Sequence, residues 1–207
     1  MTPSENIVAS LCNRGPDFLG SAMHPVSGPG DRFLSFTSTV LALRGDHVTK
    51  QPLQNAGSYL CWNGEAWRIN GKRVGGNDGE AILELLGKAS ASPTNPLEAV
   101  LDVFRSIEGP FAFVYYDAHA RSLFFGRDRL GRRSLMSAQG DATGELALCS
   151  LSQSCDPCWT EVEADGIYMV DCSQPQIHRT RHDWVVGDHA DFVSTRPLLG
   201  KLFYRSR

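Results

Sequence analysis

The sequence predicts an α+β fold built in layers rather than a regular βαβ alternation. Three observations carry this. Residues 33–43 (FLSFTSTVLAL) are rich in aromatic and β-branched residues, as a strand requires. Two helix-like segments then follow each other directly, between Asn77 and Pro110. After Gly109-Pro110 the pattern changes to several short apolar runs separated by turn residues.

The first 30 residues are rich in Gly and Pro and open on a helix end around Ile7 to Leu11. Beyond the strand at 33–43, a punctuated loop leads through Gln51-Pro52 to Ser58–Trp62 (SYLCW). Asn63-Gly64 then stands between two short apolar runs, which is the local signature of a type I′ hairpin. Asn77, with Glu80 three residues later, reads as a capping box ahead of AILELLGKA. Residues 88–96 form a loop, and a second helix starts at Pro96 with Asn95 as its cap. Leu97, Val100, Leu101, Phe104 and Ile107 recur at helical spacing, so one stripe of that helix is buried. Phe111–Tyr116 and Ser122–Gly126 flank the turn Asp117-Ala118-His119, and strands are expected again at Leu146–Ser150 and Gly166–Asp171.

The chain has 207 residues, of which 42% are hydrophobic, so one domain with a normal core is affordable, with room for an appendage. Lys plus Arg total 20 and Asp plus Glu 23, giving a net charge of −3. That balance argues against a dedicated nucleic-acid or anionic-membrane binder. No stretch approaches the ~18–20 apolar residues that cross a bilayer. The amino terminus lacks the basic and apolar regions of a secretory signal. The six scattered cysteines read as reduced thiols of a cytoplasmic protein. Residues 175–207 carry six Lys or Arg against three Asp. The expected division is a domain over 1–173 and a poorly ordered basic tail over 174–207.

Six strings, read in order, say more than any one alone. They are Arg14-Gly15-Pro16-Asp17, Gln51-Pro52-Leu53, Trp62-Asn63-Gly64-Glu65, Asn77-Asp78-Gly79-Glu80, residues 109–117 (GPFAFVYYD) and residues 125–135 (FGRDRLGRRSL). The set spans roughly residues 11–172 and resembles the class II glutamine amidotransferase domain of the asparagine synthetase family. Gly131-Arg132-Arg133-Ser134-Leu135 makes the likeness closer to asparagine synthetase domain-containing proteins than to ordinary asparagine synthetases.

The resemblance implies a four-layer αββα sandwich of the N-terminal nucleophile hydrolase type. It implies a glutaminase that releases ammonia to a C-terminal synthetase domain in asparagine biosynthesis, with glutamine as the small-molecule ligand. Asn63 and Gly64 match the family's oxyanion hole, where two fixed donors hold the tetrahedral oxygen. Glu65 and Asp78 match its acidic pair for the α-ammonium of glutamine. Arg44, in Leu43-Arg44-Gly45, is the candidate for gripping the substrate carboxylate; a surface arginine is the alternative. Arg14–Asp17 and Arg127–Gly131 take architectural roles, with Arg127 and Asp128 as a candidate pair.

The match has gaps. The family's nucleophile is a cysteine directly after the initiator methionine, whose own α-amine serves as base. This chain opens Met1-Thr2-Pro3, with only 13 residues before Arg14. Thr2 lies too near Arg14 to replace that cysteine, and Cys12 lacks a free amine. The expectation is therefore a fold incomplete at its start, with no nucleophile, binding glutamine without efficient turnover and associating when alone. No cofactor, metal or ATP site is expected; Gly71-Lys72 and Gly75-Gly76 lack P-loop spacing. Two alternatives stay open. One is a non-catalytic module that binds glutamine or a partner protein. The other is a small structural zinc module over 155–182, from Cys155, Cys158, His178 and His182, although 19 residues separate Cys158 from His178.

Overall fold

The computed structural model describes residues 5–26, 32–43, 46–139, 145–152 and 159–185. Its α+β architecture centres on a six-stranded antiparallel sheet. Helix α1 (Glu5–Arg14) buries Leu11 and is followed by the hairpin β1 (Phe18–Val26) and β2 (Arg32–Val40). These strands pair along their full length, from Phe18 opposite Val40 to Val26 opposite Arg32. The Arg14–Asp17 motif fastens the helix to the hairpin. The Asp17 N–H donates to the Val40 carbonyl at 2.9 Å, and its carboxylate accepts the Ala42 N–H at 2.7 Å. Strand β2 is the one expected at 33–43. Strand β1 contains Gly20, His24 and Pro25, which is why that stretch reads as loop.

The hairpin expected at Asn63-Gly64 is not there. Strands β3 (Leu53–Asn55) and β4 (Ser58–Gly64) turn instead at Ala56-Gly57, whose φ values of 48° and 84° are both positive as type I′ demands. A second such turn is Asn70-Gly71, with φ of 51° and 71°, between β5 (Arg68–Ile69) and β6 (Lys72–Arg73). Asn63 and Gly64 remain in the ladder, opposite Ala112 and Phe111. The dipeptide signal is local and carries no information about which Asn-Gly has a strand waiting on its far side.

Helix α2 (Asp78–Ser90) starts as expected, with the Glu80 N–H donating to Asn77 Oδ1 at 3.1 Å. Helix α3 (Pro96–Arg105) has Pro at its first turn and Asn95 as cap, accepting from the Glu98 N–H at 3.3 Å. Strands β7 (Ile107–Glu108), β8 (Phe111–Asp117), β9 (Ser122–Arg127), β10 (Met136–Gln139), β11 (Leu146–Cys149), β12 (Thr160–Glu161), β13 (Ile167–Asp171) and β14 (Arg179–His182) complete the order.

The large sheet runs β14-β13-β9-β8-β4-β3. Against one face pack α2 and α3, through Ile82, Leu86, Leu101 and Phe104, on Leu60, Phe113 and Tyr115 of the sheet. The opposite face, including Tyr59, Ala112, Leu123 and Val170, meets Val26 and Phe36 of the hairpin with Leu135 and Val162. Strand β8 is covered on both sides, so its sequence is a continuous apolar run rather than an alternation. The outer layer of strands comes in two pieces, β1-β2 and β11-β10-β12.

Strand β14 pairs with β13, and Trp184 joins the core, 7% exposed, edge-on to Phe111. The sheet thus runs past residue 173, where a tail was expected; residues 186–207 lie outside the described residues.

Candidate functional site

A cleft of about 1160 Å³ separates the outer strands from the large sheet, and Asn63, Gly64, Glu65 and Asp78 all line it. The end of β4 and the start of α2 bring them together. Gln51 organises this corner: its Oε1 accepts the Trp62 N–H at 2.7 Å, and its Nε2 donates to the Trp62 carbonyl at 3.0 Å. The side-chain amide thereby stands in for a neighbouring strand where β3 has ended.

Backbone alternation then decides what Gly64 presents. The Glu65 N–H donates to the Pro110 carbonyl at 2.9 Å, so Glu65 faces the β8 side. The Phe111 N–H donates to Asp128 Oδ2 at 3.1 Å, away from β4. Gly64 and Phe111 are therefore a non-hydrogen-bonded pair, and the Gly64 N–H, like that of Trp62, points to the open edge. Glycine is required here because a Cβ would run into the Pro110 carbonyl and Phe111. Beside it, the Asn63 amide Nδ2 is buried and has no hydrogen-bond partner among the described residues. An orphaned buried donor costs about 1–3 kcal/mol. Among the described residues, the Asn63 amide thus stands unused beside a Gly64 N–H that points to the open edge.

Asp78 is 4% exposed at the start of α2, where the helix dipole favours an anion. Its Oδ2 accepts from Trp62 Nε1 at 3.1 Å and from the Ala66 N–H at 2.6 Å. This carboxylate braces the turn after β4 as well as lining the cleft. Glu65 is half-buried on the cleft wall. Arg44 lies outside the described residues, although its neighbour Leu43 lines the cleft.

Three cysteines, Cys61, Cys149 and Cys172, line the cleft, and burial holds two of them passive. Burial pushes the Cys61 thiol up to about 11, only partly offset by the hydrogen bond from Ser38 Oγ at 3.2 Å. Burial likewise raises Cys172 to about 11. Neither is a thiolate near neutral pH.

The pairing considered for Arg127 and Asp128 is replaced by two separate anchors. Arg127 meets Glu161 and the carbonyls of Val162 and Arg133. Asp128 meets Arg132 and the N–H groups of Phe111 and Leu130. Of the zinc candidates, Cys155 and Cys158 lie outside the described residues, while His178 is exposed before β14 and His182 closes that strand. Among the described residues, no group of three or more His, Cys, Asp or Glu is placed to hold a metal. Nor is any described helix long and apolar enough to cross a membrane. Sequence reasoning quoted Gln51 without giving it a role. No local signal marks it, because its partner Trp62 meets it only in the fold.

Comparison with known proteins shows the family. A family model described as a glutamine amidotransferase domain matches residues 39–156. Asparagine synthetase domain-containing protein 1 of Gallus gallus is 37% identical over 175 residues, covering 81% of this chain and 26% of that protein. The glutamine-hydrolyzing asparagine synthetase of Homo sapiens is 34% identical over 154 residues, 68% of this chain and 24% of that protein. The chain thus spans about a quarter of the length of these curated relatives. Among solved structures, the glutamine phosphoribosylpyrophosphate amidotransferase from B. subtilis superposes with a TM-score of 0.54 at 18% identity. It covers 87% of this chain and 46% of that one, a likeness of fold. The chain belongs to the glutamine amidotransferase domain family, related to the asparagine synthetase domain-containing proteins.

Proposed function

We propose that this chain binds glutamine at the corner between β4 and α2, with its side-chain amide at an oxyanion hole. The observation that carries this is Asn63 Nδ2, a buried donor without a partner among the described residues, beside a Gly64 N–H turned to the open edge. An oxyanion hole needs donors with no other partner, aimed where charge develops, and losing one typically costs about 10²–10³ in rate. A purely structural Asn would satisfy its amide. Glu65 and Asp78 take the substrate ammonium. Both Asp78 bonds among the described residues fall on Oδ2, leaving Oδ1 for the ligand. Arg44 takes the carboxylate.

The same reading assigns the fold as the αββα sandwich. It is supported by α2 and α3 outside the large sheet and by α1 tied to the outer hairpin through the bond from Thr39 Oγ1 to the Leu11 carbonyl. In a longer relative the ammonia released would pass to a synthetase domain.

On this reading the 207-residue chain binds glutamine without turning it over; burial holds two of the three described cleft thiols, Cys61 and Cys172, protonated. Glutamine should raise the melting temperature of the chain, and Asn63→Ala or Glu65→Ala should abolish that rise. An ammonia-release assay should stay at background; release above background that disappears in Asn63→Ala would replace binding with catalysis. A glutamine-independent melting temperature would remove the reading altogether.

A further inference from the structure

We propose that Gln51 is the positioning residue of the glutamine corner: its side-chain amide ends the β3–β4 ladder one rung before Gly64 and keeps that edge open for the oxygen of a ligand amide. This rests on the glutamine reading above and adds the residue that fixes where the Gly64 N–H points.

The register shows where the ladder stops. Leu53 stands opposite Leu60, Gln54 opposite Tyr59 and Asn55 opposite Ser58. A longer β3 would therefore set Gln51 opposite Trp62 and Thr49 opposite Gly64. Trp62 and Gly64 are both non-hydrogen-bonded partners of β8, so their main-chain groups turn to the β3 side. In a continued ladder, the main chain of Gln51 would take the Trp62 N–H and that of Thr49 the Gly64 N–H. That strand is not formed, because β3 starts only at Leu53. The main chain of Gln51 lies against β1 instead, where a Cβ on Gly20 would come within 2.2 Å of the Gln51 carbonyl oxygen.

The side chain takes over the vacated rung. Gln51 Oε1 accepts the Trp62 N–H at 2.7 Å, and Nε2 donates to the Trp62 carbonyl at 3.0 Å. A primary amide carries the donor and the acceptor of a peptide group, so it completes one rung. Thr49 lines the cleft and is buried, yet among the described residues no main-chain bond joins it to Gly64. Two consequences follow from this arrangement. Trp62 is held in the pleat, which sets the directions of Asn63 and Gly64, the next two residues. The rung at Gly64 is left to a ligand acceptor, and the carbonyl of a carboxamide supplies one where an apolar side chain does not.

The test uses the full chain carrying 15N on glycine and tryptophan. Without glutamine, the Trp62 amide should exchange its hydrogen about tenfold more slowly than the Gly64 amide, since only the first is bonded. Equal rates would overturn the proposal with no variant made. Gln51→Met keeps the side-chain length and removes both bonds, so it should release the Trp62 amide and weaken glutamine binding by about tenfold. In the unaltered chain, glutamine should move the resonances of both Gly64, at the amide end of the ligand, and Gly79, beside Asp78 at its ammonium end. In Gln51→Met, saturating glutamine should still move Gly79 and no longer move Gly64. Loss of both responses would assign Gln51 to general packing, and retention of both would remove its role; either overturns the proposal. No response in the unaltered chain, with Trp62 still slower than Gly64, would strike the glutamine reading and the ligand assigned to the open rung, and leave the ladder end standing.

Discussion

Two neighbouring residues of β4 and one of α2 divide the work of the corner, and their substitutions separate binding from stability. Asn63 Nδ2 has no partner among the described residues, so Asn63→Ala should leave the melting temperature unchanged or higher while abolishing the glutamine-dependent shift. Asp78 is the opposite case. Asp78→Ala strands Trp62 Nε1 in the interior, and a buried donor that loses this bond should cost about 1–3 kcal/mol in denaturant unfolding. A destabilised Asn63→Ala together with a neutral Asp78→Ala would reverse these roles. The motif order made both residues legible in the sequence. What it left unreadable was the double duty of Asp78, which depends on Trp62 folding back from a strand sixteen residues earlier. Gln51 was quoted without a role for the same reason: its partner, Trp62, is set by tertiary structure.

At the scale of elements, helices were easier to read than strands. Asn77 and Asn95 are caps written locally, and each accepts the N–H three residues on. Strand β8 announced itself by burial on both faces. Strand β1 did not, because its half-buried register tolerates Gly20, Ser21, His24 and Pro25, and its partner β2 supplies the pairing. The Asn63-Gly64 turn was misread because turn propensity is silent on which flanking strands pair. Strand β14 was hidden by its charge: Arg179 and Arg181 sit on an edge, where charged residues are expected. That edge also carries a pH dependence. Burial, helped by the nearby Arg105, holds the His182 imidazole below its ordinary 6.5, against the pull of Glu98 and Asp183. The unfolded chain therefore takes up this proton first as pH falls, so the stability from His182 is present above pH 6.5 and is lost on acidification below it. Thermal unfolding followed from pH 7.5 to about 5 should show falling stability, with a shallower slope for His182→Gln; an equal slope in both would discount the histidine.

At the scale of the whole molecule, the described residues form one continuous six-stranded sheet and a facing layer in two pieces. The six-stranded sheet carries the aromatic core and fixes β4 against β8, and so sets the glutamine corner. The broken layer leaves a long cleft beside that corner, larger than a free amino acid needs. Motif order conveyed the family and the corner; the split of the outer layer became visible only when β2 and β11 were placed, because strand neighbours far apart in sequence leave no local pattern. Binding of glutamine at Asn63 and Gly64 is the central claim. Calorimetric titration of L-glutamine into the full chain and into Asn63→Ala tests it most directly. The account predicts a saturable heat for the unaltered chain and none for the variant at an equal melting temperature. No heat with the unaltered chain, or the same isotherm with both, would contradict it.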